Sequence, residues 1–147
     1  MNSRRIEDLH PAVAAKAREF LRLCEQQWPG NEVDVIITST MRSMAEQERL
    51  YAQGRTAPGK IVTKAKPGQS MHNYGLAFDV VPLRYGKPVW GTTGADGELW
   101  NRIGQIGESV GLEWAGRWQR FREFPHFQWT GGLTLADLQS GKRPGLA

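Results

Sequence analysis

Cysteine occurs once in the 147 residues, as Cys24, so no internal disulfide is available and the fold must rest on packing. Its place among apolar positions spaced by three and four predicts a core residue rather than a reactive thiol. Long apolar runs are missing too: nothing approaches the ~20 consecutive apolar residues of a membrane-spanning helix. The start, Met1-Asn2-Ser3-Arg4-Arg5, is basic but is followed by Ile6-Glu7-Asp8-Leu9-His10 instead of an apolar core, so export by a signal peptide is not expected. A serine-nucleophile mechanism finds no support: Gly107-Glu108-Ser109-Val110-Gly111 has the Gly-x-Ser-x-Gly spacing but falls at the end of a helix face rather than at a strand-to-helix turn. There is no internal repeat and no nucleic-acid module signature, which leaves nucleic acid as the weakest partner for a net charge of +4. That charge suits an anionic surface such as wall polymer or outer-membrane lipid, although cations scattered over a solvated face are the plainer explanation. A hydrophobic share of 39% and a charged share of 23% are those of a globular protein, and the length predicts one domain, residues 1–147, with no second module.

Histidine is scarce at three residues, which makes the setting of each informative. His10, beside Pro11, is remote from the others and is read as non-functional. His72 lies in Ser70-Met71-His72-Asn73-Tyr74-Gly75-Leu76-Ala77-Phe78-Asp79. The run Leu76–Val81, bounded by Gly75 and Pro82, reads as a buried strand, and Asp79 is its one charge. A lone buried carboxylate is costly unless paired or metal-bound, and Gly75 lets the backbone bend His72 back toward it. The plainer reading is an aspartate that caps a turn and a surface histidine. Catalytic zinc takes three protein ligands and keeps one open position. The third candidate is His126, in Glu123-Phe124-Pro125-His126-Phe127-Gln128-Trp129, where the aromatics would form a dry wall. Residues three apart point to opposite faces of a regular strand, but a bend at Pro125 could let Glu123 and His126 reach one centre. Glu123 would then stand near the metal without binding it, the position of a general base for a water whose pKa zinc lowers toward ~7.

These residues resemble the zinc peptidases of bacterial cell walls, a family holding the D-alanyl-D-alanine carboxypeptidases and dipeptidases and the L-alanyl-D-glutamate endopeptidases of phage lysis enzymes. Its motif Ser-x-His-x-x-Gly-x-Ala-x-Asp is present at every fixed position, as Ser70, His72, Gly75, Ala77 and Asp79. Thr40-Met41-Arg42-Ser43 with Glu46-Gln47 and Leu50–Thr56 is similar to the family's upstream segment, and Gly111-Leu112-Glu113-Trp114 to its downstream one; the likeness runs from about Leu9 to Trp129 and is greatest to the phage branch. One departure is Glu123, where that branch commonly has aspartate. The resemblance implies a hedgehog/D-Ala-D-Ala-peptidase-like fold, one zinc ion on His72, Asp79 and His126, catalysis by Glu123, and Arg42 stabilising the oxyanion, with a surface or salt-bridging arginine as the alternative. Ser70 is expected to bind substrate or to brace His72, if it is not a simple turn serine. Gln47 and Trp114 are expected to contribute to substrate binding, with Gln47 and Tyr51 sharing a helix face that could support Arg42. Trp118, Phe127 and Trp129 could also wall the cleft, although core packing is the default for tryptophan. A phage enzyme would wait in the host cytoplasm until a separate pore released it to the wall, and a monomer is expected.

Along the chain, a helix is predicted from Pro11, with Val13, Ala17, Phe20, Leu21, Cys24 and Trp28 on one face, ending at Pro29-Gly30-Asn31. Val33–Thr38 reads as a strand. Ser43 and Glu46 form a capping box for a helix from about Met44 to Gln53, closed by Gly54. Residues 55–69 read as a long loop, serving binding or merely solvated, with Ile61-Val62-Thr63 as a possible short strand. A hairpin over Arg84–Trp90, a loose turn over Gly91–Gly97, a helix face Leu99-Ile103-Ile106-Val110 stopped by Gly111, strands near Leu112–Trp114 and Phe124–Trp129, and a short helix over Thr134–Gln139 complete the reading. Gly104 and Gly107 could permit close packing on the sheet. The pattern predicts an α+β fold, a small mainly antiparallel sheet with packed helices. Three functions remain open at this level: a zinc endopeptidase cutting the L-alanyl-D-glutamate bond of wall stem peptides, with a D-alanyl-D-alanine carboxypeptidase as sibling alternative; a non-catalytic zinc-containing wall-binding module; and a metal-free basic surface binder.

Overall fold

The computed structural model describes residues 1–30 and 32–145. Asn31, on which the predicted end of the first helix partly falls, lies outside the described residues, as do Leu146 and Ala147. Helix α1 runs Pro11–Gln27, with His10 as its N-cap: the His10 Nδ1 accepts from the Ala12 N–H at 3.1 Å, so the histidine set aside above starts a helix. Ala12, Val13, Ala14, Ala17, Phe20 and Cys24 are buried, and burial pushes the Cys24 thiol up to about 12, which keeps it protonated.

The remaining strands and helices are β1 (Val33–Ser39), α2 (Met44–Ala52), β2 (Ala77–Arg84), β3 (Lys87–Pro88), α3 (Gly94–Ser109), β4 (Glu113–Trp114), β5 (His126–Gln128) and α4 (Leu135–Gln139). The sheet is antiparallel throughout, in the order β1-β2-β5-β4, with β3 pairing β2; the α+β architecture is the one the sequence predicts. Strand β2 does not stop at Pro82. The Val89 N–H donates to the Pro82 carbonyl, and in an antiparallel ladder a residue's N–H and C=O share a side. The donor that Pro82 lacks therefore faces the β3 side, beyond the end of β5, and the pairing with β1 is intact. Tyr85 and Gly86 both have positive φ (48° and 80°), the two-residue turn that fits the twist of a hairpin. Residues 55–69 form a loop with no strand at Ile61–Thr63. Helix α3 begins at Gly94, inside the predicted loose turn, and Gly97 is admitted because a Cβ there would stand 2.6 Å from the Thr92 carbonyl oxygen. The Ser43 box is only half made: Ser43 Oγ caps the Glu46 N–H, but the Ser43 N–H goes to the Met1 carbonyl and Glu46 pairs with Arg49.

The two faces of the sheet do different work. Phe78 and Phe127 are opposite one another in the β2–β5 register and pack with Phe20 of α1, ring centroids 5.0 to 5.8 Å apart. Helix α3 closes the same side, and its approach is set by two glycines: a Cβ at Gly104 would overlap the Trp114 ring and one at Gly107 the Phe127 ring. Gly107→Ala should therefore cost about 1–3 kcal/mol by overpacking, read as a lower urea midpoint; an unchanged midpoint would show that the helix can move away. The next residues along each strand, Asp79 and His126, point to the opposite face, since side chains alternate.

Candidate metal centre

Asp79 and His126 are directly paired across β2 and β5, which sets their side chains side by side on the face away from α1 and α3. His72 reaches them from a short 3-10 turn, Met71–Tyr74, that Gly75 ends in the left-handed region at φ 69°; a Cβ on Gly75 would also press on the His10 nitrogen at 3.1 Å. His72 Nε2 lies 3.2 Å and His126 Nδ1 3.1 Å from the same Asp79 Oδ1, and the donor atoms of the three residues all fall within 4.8 Å of one another. His72 and His126 are buried and Asp79 is half-buried.

The outer nitrogens decide what the inner ones can do. His72 Nδ1–H donates to the Thr40 carbonyl at 2.7 Å, an atom that only accepts. His126 Nε2–H donates to Gln128 Oε1 at 2.8 Å. Each inner nitrogen of the neutral ring is thereby left as a lone pair facing a carboxylate oxygen. Two lone pairs and an anion do not attract one another, so a cation belongs between them, either a proton on an imidazole or a metal ion. Without a metal, burial opposes a charged Asp79 but is outweighed by His72 and His126, which hold its carboxyl well below the usual carboxylate range. Burial likewise opposes a charged His126, and Asp79 with Gln128 raises its pKa nonetheless. Two imidazoles with anchored outer nitrogens and one carboxylate form the donor set of zinc with a further position open.

Around this centre the predicted residues take different places. Glu123 precedes a turn closed by the His126 N–H to its own carbonyl at 3.4 Å; the bend brings its Oε2 to 4.0 Å from His126 Nδ1 while the side chain stays 57% exposed. Arg42 donates from Nη1 to Gln47 Oε1 at 3.0 Å and from Nη2 to Ser39 Oγ at 3.4 Å. Burial pulls its pKa down, against the pull of Asp79, Glu46 and Glu123, and its buried Nε has no partner among the described residues. The half-buried Ser70 caps the 3-10 turn by accepting from the His72 N–H at 3.3 Å. Trp118 stands against the His126 ring at 5.6 Å.

Two expectations are corrected. Gln47 is fully buried and cannot touch substrate; its amide joins Arg42 to the Ala65 carbonyl at 2.8 Å, which makes it a positioning residue. Gln47→Ala should cost about 1–3 kcal/mol, because it leaves donors of Arg42 and an acceptor of residue 65 unpaired inside the protein; equal denaturation curves for the two proteins would remove that role. Trp114 is opposite Phe127 in the β4–β5 register, buried on the helical side, with its Nε1–H given to the Phe124 carbonyl at 2.9 Å, so it builds core and no substrate wall. Phe127 is core as well, and Trp129 stands by His10 and Lys16. The sequence reading missed Thr40 and Gln128. A backbone acceptor leaves no trace in residue type, but Gln128 is two residues beyond His126 and so on the same face of the strand, which was a usable signal.

Comparison with known proteins agrees with this geometry. Residues 63–129 match a family described as D-alanyl-D-alanine carboxypeptidase. The chain is similar to the peptidoglycan L-alanyl-D-glutamate endopeptidase CwlK of Bacillus subtilis (strain 168), with 39% identity over 127 residues, 82% of this chain and 73% of the relative. In fold it is similar to the Serratia marcescens L-Ala D-Glu endopeptidase ChiX (24% identity, TM-score 0.60, 90% of this chain and 86% of that one). The L,D-carboxypeptidase DacB of Streptococcus pneumoniae is also similar in fold (21% identity, TM-score 0.58, 93% and 79%). A relative this similar over most of both chains, together with a cleft-side cluster of metal donors, means that the chain belongs to the family of cell-wall metallopeptidases that holds the D-alanyl-D-alanine carboxypeptidases and the L-alanyl-D-glutamate endopeptidases.

Proposed function

We propose that this chain hydrolyses the L-alanyl-D-glutamate bond of peptidoglycan stem peptides, using one zinc ion held by His72, Asp79 and His126. The observation that carries the reading is the pair of anchored imidazoles turned on a single carboxylate oxygen, with an exposed Glu123 beside them; the activity in the name of the Bacillus subtilis relative supports the choice of bond. Zinc, when bound, supplies a Lewis acid that makes a water nucleophilic near neutral pH. Glu123 takes the proton of the attacking water and returns it to the departing amine. Arg42, a cation fixed by Gln47 and Ser39, meets the negative charge that builds on the carbonyl oxygen. Ser70, at the rim, hydrogen-bonds the substrate backbone. Mass spectrometry of the products from purified wall tests the bond: peptides with a new N-terminal D-glutamyl residue are expected. Release of D-alanine alone would instead establish the second reading, a D,D-carboxypeptidase, which the description matched by residues 63–129 supports.

The proposal extends to a phage lysis enzyme, monomeric, held in the host cytoplasm until a separate pore admits it to an anionic envelope. The resemblance that runs from about Leu9 to Trp129, greatest to the phage branch, supports the origin, and the net charge of +4 supports the surface. Host cells making this chain should lyse only when a pore-forming protein is made with it; survival with both would count against the lytic role.

A further inference from the structure

A cleft of about 560 Å³ is lined by Asp79, Glu123 and His126 of the metal centre and, beyond them, by Trp90, Thr92, Thr93 and Trp100. Arg42, Ser70 and His72 are not in its lining. We infer that its far end is a glycan subsite, which takes the neutral N-acetylated sugar joined to the L-alanyl end of a stem peptide. The enzyme then favours stems still attached to the glycan strand over free peptides. This rests on the bond assigned above: with the D-glutamyl half toward Arg42, the L-alanyl half and whatever it carries enter this cleft.

The chemistry of the far end suits a sugar. Trp90, Thr92, Thr93 and Trp100 carry no formal charge; Arg122 joins the lining next to Glu123, with its Nε given to the Trp118 carbonyl and its guanidinium 5.9 Å from the Phe124 ring centroid. A stretch of wall made of uncharged side chains favours a neutral occupant, since a carboxylate would be desolvated against it without a partner. Trp90 is 58% exposed on a segment that is itself held, because Val89 is buried and its N–H is bonded to the Pro82 carbonyl. An exposed indole face matches the C–H face of a pyranose ring, an apolar body beside polar edges. Polar partners stand nearby. Thr93 is the N-cap of α3 but its hydroxyl makes no capping bond, which leaves that hydroxyl and the first amides of a 16-residue helix free for acetamido and hydroxyl oxygens. Trp100 is 1% exposed, and its indole N–H has no acceptor among the described residues. Buried donors are nearly always satisfied, and an oxygen entering the cleft, from sugar or ordered water, supplies the missing partner.

Zinc-loaded full-length protein should be compared on two substrates, a muramyl-bearing stem peptide and the same peptide N-acetylated without the sugar. The wild type is expected to prefer the first by about tenfold in kcat/KM, the size of one aromatic stacking contact. Trp90→Ala should collapse that ratio and Trp90→Tyr should restore most of it. A ratio near one in the wild type, or one that Trp90→Ala leaves intact, overturns the subsite. Peptide-free glycan oligomers, titrated while following tryptophan fluorescence, give a readout independent of cleavage. If neither peptide is cut, the bond assignment has failed, and saturable glycan binding that Trp90→Ala abolishes still establishes the subsite, whereas no binding ends it.

Discussion

Glu123→Gln is expected to lower kcat by about 10²–10⁴-fold, the usual contribution of a general acid–base group, while the protein keeps its zinc. The substitution preserves shape and hydrogen-bonding reach and removes only the ability to hold a proton. The metal is untouched because Glu123 lies outside the trio whose donor atoms cluster, its nearest oxygen 4.0 Å from His126 Nδ1. Stability should hardly change, within about 0.5 kcal/mol, as for other exposed side chains. Metal content, the urea midpoint and turnover on purified wall separate the possibilities. A variant that turns over within threefold of wild type would falsify the assignment of the base, and one that loses zinc would make Glu123 a ligand.

Asp79→Ala should do the opposite, removing the metal and with it all activity. Asp79 is the one anion of the ligand set, and both inner imidazole nitrogens face its Oδ1. Without it a dication meets two neutral donors and no compensating charge, and zinc content should fall from about one equivalent to under a tenth after resupply, given that catalytic zinc needs three protein ligands. The fold should survive, since the residues that hold the sheet to α1 and α3 project from its other face, where Phe78 and Phe127 pack on Phe20. Circular dichroism tests that proviso. Stoichiometric zinc in a folded Asp79→Ala protein would leave the proposed centre without support.

The sequence made much of the fold and part of the centre legible, for physical reasons that differ by element. Apolar periodicity located α1 from Pro11 and the face of α3, because a helix packed on one side must repeat its apolar residues. It misplaced the start of α3, since Gly94 and Gly97 are poor helix formers and only the nearness of the Thr92 carbonyl explains the glycine at 97. Pro82 looked like the end of β2 because a single sequence does not say which edge of a strand has a neighbour. At the centre, a buried carboxylate, a bend at Gly75 and another at Pro125 pointed to convergence from residue chemistry alone, and resemblance supplied Arg42. The roles given to Gln47 and Trp114 went astray because burial depends on which face a strand or helix turns inward. Trp90 escaped notice for the same reason in reverse: in sequence nothing distinguishes an exposed tryptophan at a cleft from one in the core.

Strands β2 and β5 share a short seam, in which Ala77 faces Gln128, Phe78 faces Phe127 and Asp79 faces His126, and the last pair is separated by 47 positions of chain. An ion gripping both members of that pair is a clasp on a long loop, and its binding free energy adds to the stability of the folded chain. Chelation would therefore do more than silence the enzyme: it would loosen the short seam on which Phe127 and Trp114 are hung. Where zinc is scarce, such a protein would be both idle and shorter-lived.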